Sequence, residues 1–501
     1  MLPMERLYAQ AAERPDALAV VYGDERIAWG ELVERVERLA HGLADRGVGA
    51  GDAVGLVLRD DPWFVTSFHA VTALGGIVVP VNPAFKQTEI EFSFRSAGVK
   101  AIVSDERTAG VCERIAAGFE HPVDVITTTA AHGQSLTLED LVESYAPERL
   151  APRDADETFV YQFSSGSTGR PKRVPRTHGQ IAAEADLYGA LDVGPDDRVF
   201  SAIPFFHTWG MGACLVAPTT WGATVVILED PNPFLLKRHR ALELIERERC
   251  TVFPGVPFHY QLMAEAPGSA DLSSLRLCFS AGTALARETF DAFGEKFGVL
   301  VRQLYGSTET GFMAANLDPD PVATFASVGR GIGPVDFQLV DDDGAPVASG
   351  EAGEAGEVTV ASPAMTAGYS DLPDVNAQAF AGGRFQTGDL GTLDAEGRLT
   401  ITGRKKLLIE VGGYKVDPIE VEDVVGAHPG VAEAVVVGVP GKGPGEEVVK
   451  AVVVPGAEVG EREVIDFCRE RLANYKVPTV VELREEIPKS PLGKILRKYL
   501  V

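Results

Sequence analysis

Apolar residues in the first part of the chain follow two alternating periods. Between residues 29 and 48, leucine and valine recur every three or four positions, which is the spacing of one face of a helix. Residues 54–58 and 77–81 are instead unbroken apolar runs, and a helical stretch over 63–74 lies between them. Unbroken runs of this length are typical of strands that are buried on both faces of a parallel sheet.

The same alternation returns between residues 224 and 280. A strand over 224–228 and a helix over 235–249 are followed by strands over 250–253 and 275–280. Strands that alternate with helices predict α/β layers, in which ligands bind at the carboxyl ends of the parallel strands.

The pattern changes after residue 329. Residues 337–402 are rich in glycine, aspartate and β-branched residues, and hairpin turns are predicted at 342–344 and 395–397. The residues after 404 alternate again, as helix, strand, strand and helix, over 421–427, 434–439, 448–454 and 461–472. We therefore expect a smaller β-rich unit and then a small α+β unit.

Length, composition and charge narrow the class of protein. A chain of 501 residues is too long for one core, because cores stop growing at roughly 250–300 residues. Apolar residues make up 45% and charged residues 24%, as in ordinary globular proteins, while the net charge of −26 argues against nucleic acid or an anionic membrane as a general partner. There is neither a signal pattern nor a charge-free run of 18 apolar residues, so we expect a cytoplasmic protein without a membrane span.

A loop rich in glycine and hydroxyl side chains follows an apolar segment. Small residues let backbone N–H groups approach an anion, and the closing lysine adds a charge, so the loop is a candidate phosphate site. A flexible linker has the same composition, but this loop lies between apolar segments. The P-loop spacing is absent from the chain. The loop comprises Ser164, Ser165, Gly166, Ser167, Thr168, Gly169, Arg170, Pro171 and Lys172.

A second polar stretch combines an aromatic ring, small residues, hydroxyl groups and a carboxylate. An aromatic ring can stack on a purine, and a glutamate can hold Mg²⁺, which prefers oxygen ligands. The alternative is a polar turn that caps a sheet. The stretch comprises Tyr305, Gly306, Ser307, Thr308, Glu309, Thr310 and Gly311.

Two further stretches carry candidate chemistry. The carboxylate of Asp389 can accept ribose hydroxyl groups, or the residue can be an ordinary turn residue. Arg404 opens a basic segment. Near the C-terminus, Lys494 lies among leucine and isoleucine residues, so this basic tail is either solvated or an ordered loop that delivers one lysine.

In order along the chain, SSGSTGRPK, YGSTETG, TGDL with GRKK, and PLGKILRK together resemble the adenylate-forming superfamily. This superfamily comprises acyl-CoA synthetases, nonribosomal peptide synthetase adenylation domains and firefly luciferases, and the chain is most similar to a stand-alone acyl-CoA synthetase. The resemblance implies an α/β fold with a large N-terminal domain of layered α/β subdomains over 1–403, including a β-rich subdomain over about 330–403. A hinge at 404–406 and a small mobile α+β C-terminal domain over 407–501 follow.

The resemblance also implies roles for individual residues. Lys494 is implied as the catalytic lysine, Thr308 as the contact to the α-phosphate and Glu309 as the Mg²⁺ ligand. His207 is implied as an aromatic gate between the nucleotide and acyl sites, and Lys406 as the hinge residue. The implied ATP- and AMP-binding residues are Ser164, Ser165, Gly166, Ser167, Thr168, Gly169, Lys172, Gly282, Thr283, Ala284, Tyr305, Gly306, Ser307, Asp389 and Arg404.

Acyl and CoA sites are implied by position. The acyl pocket is expected to be apolar and to have room for a large acid because of its small residues. It has no visible acid for the ammonium of an amino acid. Its residues are His207, Trp209, Gly210, Met211, Val256, Phe258, Ser280, Phe312 and Met313, and the CoA tunnel is expected at Gly412, Gly413 and Tyr414.

Two positions depart from the family pattern. Arg173 follows Lys172 where the family usually has glycine, which allows an extra phosphate contact. Lys406 stands where many members have aspartate, although both residue types occur at this hinge.

The expected function is ATP-dependent activation of an apolar carboxylic acid, whether fatty, aryl or bulky polycyclic, to an acyl-adenylate with release of pyrophosphate. The acyl group then passes to coenzyme A, so ATP, Mg²⁺ and coenzyme A are the expected cofactors and co-substrates. Alternatives are a ligase that loads a separate carrier protein or stops at the adenylate, a luciferase-type oxidation, and a non-catalytic nucleotide-binding sensor. The chain ends seven residues after Lys494, so no fused carrier domain is expected. A monomer or homodimer without nucleic acid is expected.

Overall fold

Two compact units make up the protein in the computed structural model. The first is Met1–Phe337 with Val360–Gln386, and the second is Gln338–Thr359 with Thr387–Val501. The structure describes residues 1–85, 87–129, 136–164, 171–231, 234–347, 355–405, 409–411, 414–416, 418–441, 447–472, 474–490 and 494–501.

The strands are numbered in chain order. They are β1 Leu18–Tyr22, β2 Glu25–Ala28, β3 Ala53–Val57, β4 Ile77–Pro80, β5 Ala101–Ser104, β6 Asp124–Thr127, β7 Thr158–Ser164, β8 Lys172–Thr177, β9 Arg198–Ser201, β10 Thr224–Ile227, β11 Val252–Gly255, β12 Leu277–Ser280, β13 Val301–Ser307, β14 Gly311–Ala315, β15 Arg330–Gly331, β16 Asp336–Val340, β17 Gly356–Ala361, β18 Phe385–Leu393, β19 Leu399–Arg404, β20 Ile409–Val411, β21 Tyr414–Val416, β22 Val431–Pro440, β23 Glu447–Pro455 and β24 Val480–Leu483.

The α-helices are numbered in the same way, and a π-helical segment, Met211–Val216, joins α8 to α9. The helices are α1 Pro3–Glu13, α2 Trp29–Asp45, α3 Pro62–Ala73, α4 Gln87–Ala97, α5 Ala109–Ala116, α6 Leu138–Ser144, α7 His178–Tyr188, α8 Thr208–Gly210, α9 Ala217–Trp221, α10 Phe234–Glu248, α11 Pro257–Glu265, α12 Arg287–Phe297, α13 Pro373–Ala379, α14 Pro418–Gly426 and α15 Glu461–Arg469.

The first unit contains two mostly parallel sheets. One has the strand order β15-β14-β13-β12-β11-β9-β10-β1-β2, and the other has the order β6-β5-β3-β4-β7-β8. In the first sheet the strands from β13 to β1 are parallel, whereas β14 and β2 pair antiparallel with their neighbours. The second sheet is parallel up to β7, and β8 returns antiparallel to β7.

Both sheets are covered on both faces, which explains their unbroken apolar strands. Within β10, Val225 and Ile227 belong to the core that also receives α2 and α3, while Val226 belongs to the core under α10 and α11. Within β4, Val78 faces the first of these cores, and Ile77 and Val79 face the core under α4 and α5. Helices and sheets therefore alternate in layers, which confirms the predicted α/β class.

One predicted strand is displaced by two residues. A strand was expected over 250–253, but β11 begins at Val252. The N–H of Cys250 instead donates to the carbonyl of Ile245 at 3.0 Å and closes the end of α10. The first residue of the predicted strand therefore closes the end of α10 and is not part of β11.

The second unit contains part of the β-rich segment and the whole C-terminal segment. One sheet has the order β16-β17-β18-β19, β20 pairs with β21, and a third sheet has the order β22-β23-β24. On the third sheet, Val436 and Val449 pack with α14 and α15, while Val435, Val437 and Val452 on the other face pack with Ile487 and Leu500.

The two compact units divide the β-rich segment between them. Residues 338–359 and those from 387 onward group with the C-terminal segment, whereas residues 360–386 group with the first unit. The predicted domain boundary at about residue 403 stays a prediction. Lys405 forms ion pairs at 3.0 Å with Glu357 and at 3.3 Å with Asp342, which tie the end of β19 to the same sheet. The hinge at residues 404–406 stays a prediction.

None of the helices in the described residues combines the length and the apolar character needed to cross a membrane.

Candidate active site

The candidate phosphate loop joins two antiparallel strands of the first unit. Ser164 at the end of β7 lies opposite Lys172 at the start of β8. This register fixes both ends of the loop at one edge of the sheet. The predicted contacts Ser165, Gly166, Ser167, Thr168 and Gly169 lie outside the described residues.

Thr308 and Glu309 lie in the tight turn between β13 and β14. Ser307 pairs with Gly311 across the turn, and Gly311 has a φ of +66°, which favours glycine. A Cβ atom on Gly306 would lie 2.7 Å from the carbonyl oxygen of Gly311, so this position needs glycine as well. The glycines of the motif therefore make the turn, and the turn presents Thr308 and Glu309.

Glu309 is held at both its side chain and its backbone. Its Oε1 accepts a hydrogen bond from the hydroxyl of Tyr369 at 2.9 Å, and its carbonyl accepts one from the N–H of Thr366 at 2.8 Å. Among the described residues, no donor contacts Oε2. Burial and the nearby Glu309 carboxylate raise the pKa of Tyr369 well above its ordinary value.

Lys172 lies on the other side of the same tyrosine. Its Nζ is 4.5 Å from the centroid of the Tyr369 ring, within the range of a cation–π contact. Lys172, Tyr369 and Glu309 thus form a row that joins the phosphate loop to the β13–β14 turn. The sequence analysis missed Tyr369, which lies 60 residues beyond Glu309 and outside the motifs.

The segment with His207 follows β9 and reaches the same turn. The hydroxyl of Thr208 donates to that of Thr308 at 3.3 Å, and the Nδ1 atom of His207 accepts from the N–H of Trp209 at 3.2 Å. Trp209 donates from Nε1 to the carbonyl of Gly255 at 3.1 Å. Since β9, β11, β12 and β13 are neighbours in the sheet, their carboxyl ends bring these segments together.

The predicted adenine-binding segment follows β12. Gly282, Thr283 and Ala284 are exposed there, and Gly282 has a φ of +90°. The Tyr305 ring is partly buried, with its centroid 6.2 Å from that of Phe337. The loop follows β12, and Tyr305 lies within the adjacent strand β13. The adenine site stays a prediction.

Most of the predicted acyl-pocket residues are deeply buried. Met211, Phe312 and Met313 belong to the largest core, with at most 1% of their surface exposed, and Val256 and Ser280 are also buried. The ring of Phe312 stacks on Tyr188 at 4.7 Å between centroids. Phe258 is exposed, at 36%.

Gly210, one of the small residues expected to leave room for the acid, and the nearby Gly212 are both closely packed in the structure. A Cβ atom on Gly210 would lie 2.2 Å from the carbonyl oxygen of Pro204, so glycine is needed for backbone packing. On Gly212, a Cβ atom would lie 2.7 Å from Oε1 of Glu184. Both glycines are therefore explained by the atoms that pack against them.

The sequence analysis also missed a buried ion pair behind this segment. Arg176 and Glu184 are 2.6 Å apart and almost fully buried, and Glu184 accepts from the N–H of Phe312 at 3.2 Å. Arg176 also donates to the carbonyl of Ala364 at 3.0 Å. The expected absence of an acid near the acyl segment is thus corrected, although the charge of Glu184 is balanced by Arg176.

Asp60 anchors the His207 segment from the other sheet. Its Oδ1 accepts from the N–H of Phe205 at 2.9 Å. Burial raises the pKa of Asp60 to about 8, although this hydrogen bond opposes the shift.

In the second unit, Asp389 and Arg404 face each other across β18 and β19. The Nε of Arg404 donates to Oδ1 of Asp389 at 2.5 Å, and the N–H of Asp389 donates to the hydroxyl of Thr387 at 3.0 Å. Asp389 therefore lies within a strand, and the alternative of a turn residue is wrong. The pairing follows from the antiparallel register.

Lys494 lies on a short hairpin-like segment of the second unit. Its carbonyl accepts from the N–H of Ser490 at 2.8 Å, and its own N–H donates to the hydroxyl of Ser490 at 3.1 Å. Nearby, Arg497 forms a 2.5 Å ion pair with Glu422 on α14. The backbone of Ser490 and Lys494 is thus hydrogen-bonded, while the Lys494 side chain is exposed.

Arg173, which stands where the family usually has glycine, contacts two other side chains in the structure. Its Nη2 atom pairs with Asp371 at 2.8 Å, and its guanidinium lies 4.9 Å from the centroid of the Tyr161 ring. The sequence analysis did not foresee these partners.

The hinge residue and the predicted CoA tunnel fall largely outside the described residues. Lys406, Gly412 and Gly413 are not described, and Tyr414 is the first residue of β21.

Comparison with protein families gives two matches. Residues 7–370 match the family described as AMP-binding enzyme, and residues 420–494 match the AMP-binding enzyme C-terminal domain.

Individual relatives match over nearly the whole chain. The sequence is 32% identical over 494 residues to a feruloyl-CoA synthase of Amycolatopsis sp., across 97% of this chain and 96% of the relative. It is 30% identical over 501 residues to the long-chain-fatty-acid–CoA ligase FadD13 of Mycobacterium tuberculosis, across 99% of this chain and 97% of the relative. The solved structure of the anthranilate CoA ligase AuaEII in complex with anthranoyl-AMP is similar with a TM-score of 0.87 and 28% identity, across 100% of this chain and 96% of that one.

Proposed function

The chain belongs to the AMP-binding enzyme family, and from this premise we propose that it activates an apolar carboxylic acid and transfers the acyl group to coenzyme A. It is an AMP-forming acid–thiol ligase that uses ATP, Mg²⁺ and coenzyme A. The observation that carries this assignment is the row Lys172–Tyr369–Glu309, which joins the phosphate loop to a carboxylate suited to Mg²⁺.

The first half-reaction brings two anions together. A carboxylate attacks the α-phosphorus of ATP, and two unit charges 4 Å apart repel by about 1 kcal/mol in water and by more in a desolvated site. The ammonium groups of Lys172 and Lys494 offset this repulsion, Lys172 at the β,γ-phosphates and Lys494 at the reacting centre. Pyrophosphate leaves from the loop between Ser164 and Lys172.

Glu309 fits the task of holding the metal ion. Its Oε1 is fixed by Tyr369, and no described donor contacts Oε2, so an oxygen ligand of the kind that Mg²⁺ prefers remains. When bound, Mg²⁺ neutralises phosphate charge that builds up in the transition state. Thr308, next in the turn, donates its hydroxyl to the α-phosphate.

Two sets of residues are assigned to the nucleoside. Tyr305 and the segment Gly282, Thr283 and Ala284 frame adenine. Asp389 accepts the ribose hydroxyls, and Arg404 orients Asp389 through the hydrogen bond between them.

The second half-reaction needs the thiol of coenzyme A. A free thiol with a pKa of about 8.5 is mostly protonated at neutral pH, so the site must favour its thiolate. Lys494 leaves when the second unit rotates about Lys406, and Gly412, Gly413 and Tyr414 then line the path of the pantetheine arm.

The substrate class follows from the acyl segments. Met211, Val256, Phe312 and Met313 are apolar, and the one acid near them, Glu184, is paired with Arg176. An apolar aryl or fatty acid fits these residues better than an amino acid, whose ammonium needs an unpaired carboxylate.

A pyrophosphate-release panel tests this proposal. Purified protein, ATP and Mg²⁺ are incubated with aryl, fatty, polycyclic, dicarboxylic and amino acids, each with and without coenzyme A. We expect release with an aryl, fatty or polycyclic acid, and conversion of the adenylate to a thioester when coenzyme A is added. Release only with amino acids would contradict the substrate class, and an adenylate that coenzyme A does not consume would favour a carrier protein as the acceptor.

A further inference from the structure

Tyr369 contacts Glu309 and Lys172, the two groups that the proposed function assigns to the metal ion and to the β,γ-phosphates. Its hydroxyl donates to Oε1 of Glu309 at 2.9 Å, and the Nζ of Lys172 lies 4.5 Å from its ring centroid. Only 6% of the tyrosine is exposed, so both contacts lie inside the first unit. One side chain thus joins the phosphate loop to the predicted metal ligand.

The backbone around Tyr369 is itself tied to Asn376. The N–H of Tyr369 donates to Oδ1 of Asn376 at 2.8 Å, and Nδ2 of Asn376 donates back to the carbonyl of Tyr369 at 2.8 Å. The Phe380 ring packs edge-on against the tyrosine at 5.5 Å. These contacts leave the ring little freedom to turn.

The residues on either side of Tyr369 are tied to the same two segments. The N–H of Thr366 donates to the carbonyl of Glu309 at 2.8 Å. The N–H of Ser370 donates to the carbonyl of Arg173 at 3.0 Å, and Asp371 forms its ion pair with the guanidinium of Arg173. Residues 366–371 are therefore a strap, which runs from the β13–β14 turn to the start of β8.

The two contacts of Tyr369 have different chemical consequences. A hydrogen bond to one carboxylate oxygen fixes the rotation of the Glu309 side chain, so the second oxygen keeps one direction. An aromatic ring holds an ammonium group without adding a negative charge, so Lys172 keeps its positive charge for phosphate. A carboxylate at this position would neutralise the lysine.

We propose that Tyr369 is a positioning residue for adenylation, which sets Glu309 for the metal ion through its hydroxyl and Lys172 for the β,γ-phosphates through its ring. The proposal rests on the proposed function, because it assigns the metal ion and triphosphate to these two residues. It predicts that the hydroxyl and the ring have separable effects.

Two substitutions separate these effects. Tyr369→Phe removes the hydroxyl and keeps the ring, whereas Tyr369→Leu removes both. Tyr145→Phe is the matched control, because it removes a tyrosine hydroxyl that donates to Asp45 at 2.9 Å, far from the motifs.

The readouts are binding measurements on the full chain. Mn²⁺ affinity is measured by electron paramagnetic resonance with α,β-methylene-ATP, and affinity for the same analogue is measured in EDTA by calorimetry. Tyr369→Phe is expected to weaken Mn²⁺ binding about tenfold while the metal-free affinity stays within about twofold. Tyr369→Leu is expected to weaken both, and neither variant is expected to change AMP affinity, because AMP lacks the β- and γ-phosphates.

Three results would overturn the proposal. The first is that Tyr369→Phe binds Mn²⁺ as tightly as the wild type and Tyr145→Phe do. The second is that the Tyr369 variants lose affinity for Mn²⁺, for the analogue and for AMP to the same extent. The third is that the metal-free affinity for the analogue falls as much in Tyr369→Phe as in Tyr369→Leu. If Tyr369→Leu does not fold, Tyr369→Phe alone decides through its first two readouts. Failure of the wild type to bind the analogue or to release pyrophosphate would instead contradict the proposed function.

Discussion

Glu309 and Lys494, the two charged groups assigned to adenylation, are held in place by different kinds of contact. Glu309 is 7% exposed, lies in a turn shaped by glycines and is bonded at its side chain and its backbone. Lys494 has an exposed side chain on a short segment, and its backbone is hydrogen-bonded to Ser490.

This difference matches two kinds of catalytic task. A group that binds metal and triphosphate throughout the reaction gains from preorganisation, because no reorganisation is then needed when charge develops. A group that must leave before coenzyme A enters gains from a fixed backbone and a side chain that is not packed into a core. We therefore propose that Glu309 is a fixed ligand and that Lys494 is a residue that can be delivered and withdrawn.

Removing the delivered lysine is expected to have the largest effect. Lys494→Ala should lower acid-dependent pyrophosphate exchange by about 10²–10³-fold, the range for loss of a charge that stabilises a transition state. Thioester formation from a supplied acyl-adenylate should be unchanged. Lys498→Ala, which changes another exposed lysine of the same tail, is the control. Equal loss of both half-reactions would refute the role of Lys494.

Stiffening the predicted hinge should affect the other half-reaction. Lys406→Pro fixes φ at this residue, so it should spare pyrophosphate exchange and slow thioester formation about tenfold or more. Lys406→Ala is the control, because it removes the same side chain without restricting φ. Unchanged overall turnover in the proline variant would exclude rotation at this position.

The motifs were readable from the sequence because their chemistry is local. The turn itself requires glycine at 306 and 311. Strands such as β4 and β10 are buried on both faces, and their unbroken apolar sequences already indicate this. Tyr369 and Glu184 could not be found in this way, because each acquires its role through contacts with residues 60 and 128 positions away. The close packing at Gly210 also could not be read from the sequence, because it depends on where the chain places the carbonyl oxygen of Pro204.

A smaller effect is expected at the ribose site of the second unit. Asp389→Asn keeps the shape of the side chain and removes its charge, so hydrogen bonds to the ribose weaken and the KM for ATP should rise about tenfold. Asp394→Asn is the matched control, because Asp394 forms a 2.6 Å pair with Arg398 near the same strands. Equal KM values in the two variants would remove Asp389 from the nucleotide site.

A substitution at Asp60 is expected to have the smallest effect on activity. Its expected effect is on the pH dependence of stability. Its folded-state pKa of about 8 lies above the ordinary value of 3.8, so the folded protein binds more protons between these values. Stability should therefore fall as pH rises from about 4 to 8, with a slope approaching 1.4 kcal/mol per pH unit from this residue.

Asp60→Asn should flatten this fall in urea unfolding curves measured at several pH values. The window from pH 6 to 8 is the most informative, because the pKa of the neighbouring Asp61 is raised only to about 6. The variant should adenylate its acid normally at pH 7. An unchanged pH dependence of unfolding would show that Asp60 does not titrate in this range.

Product analysis by ³¹P nuclear magnetic resonance tests the central claim most directly. Wild-type protein is incubated with ATP, Mg²⁺, coenzyme A and an apolar acid that supports pyrophosphate release. The account predicts AMP and pyrophosphate in equal amounts, matched by the acyl-CoA found by chromatography. Formation of ADP and orthophosphate, or release of AMP without an acyl product, would contradict it.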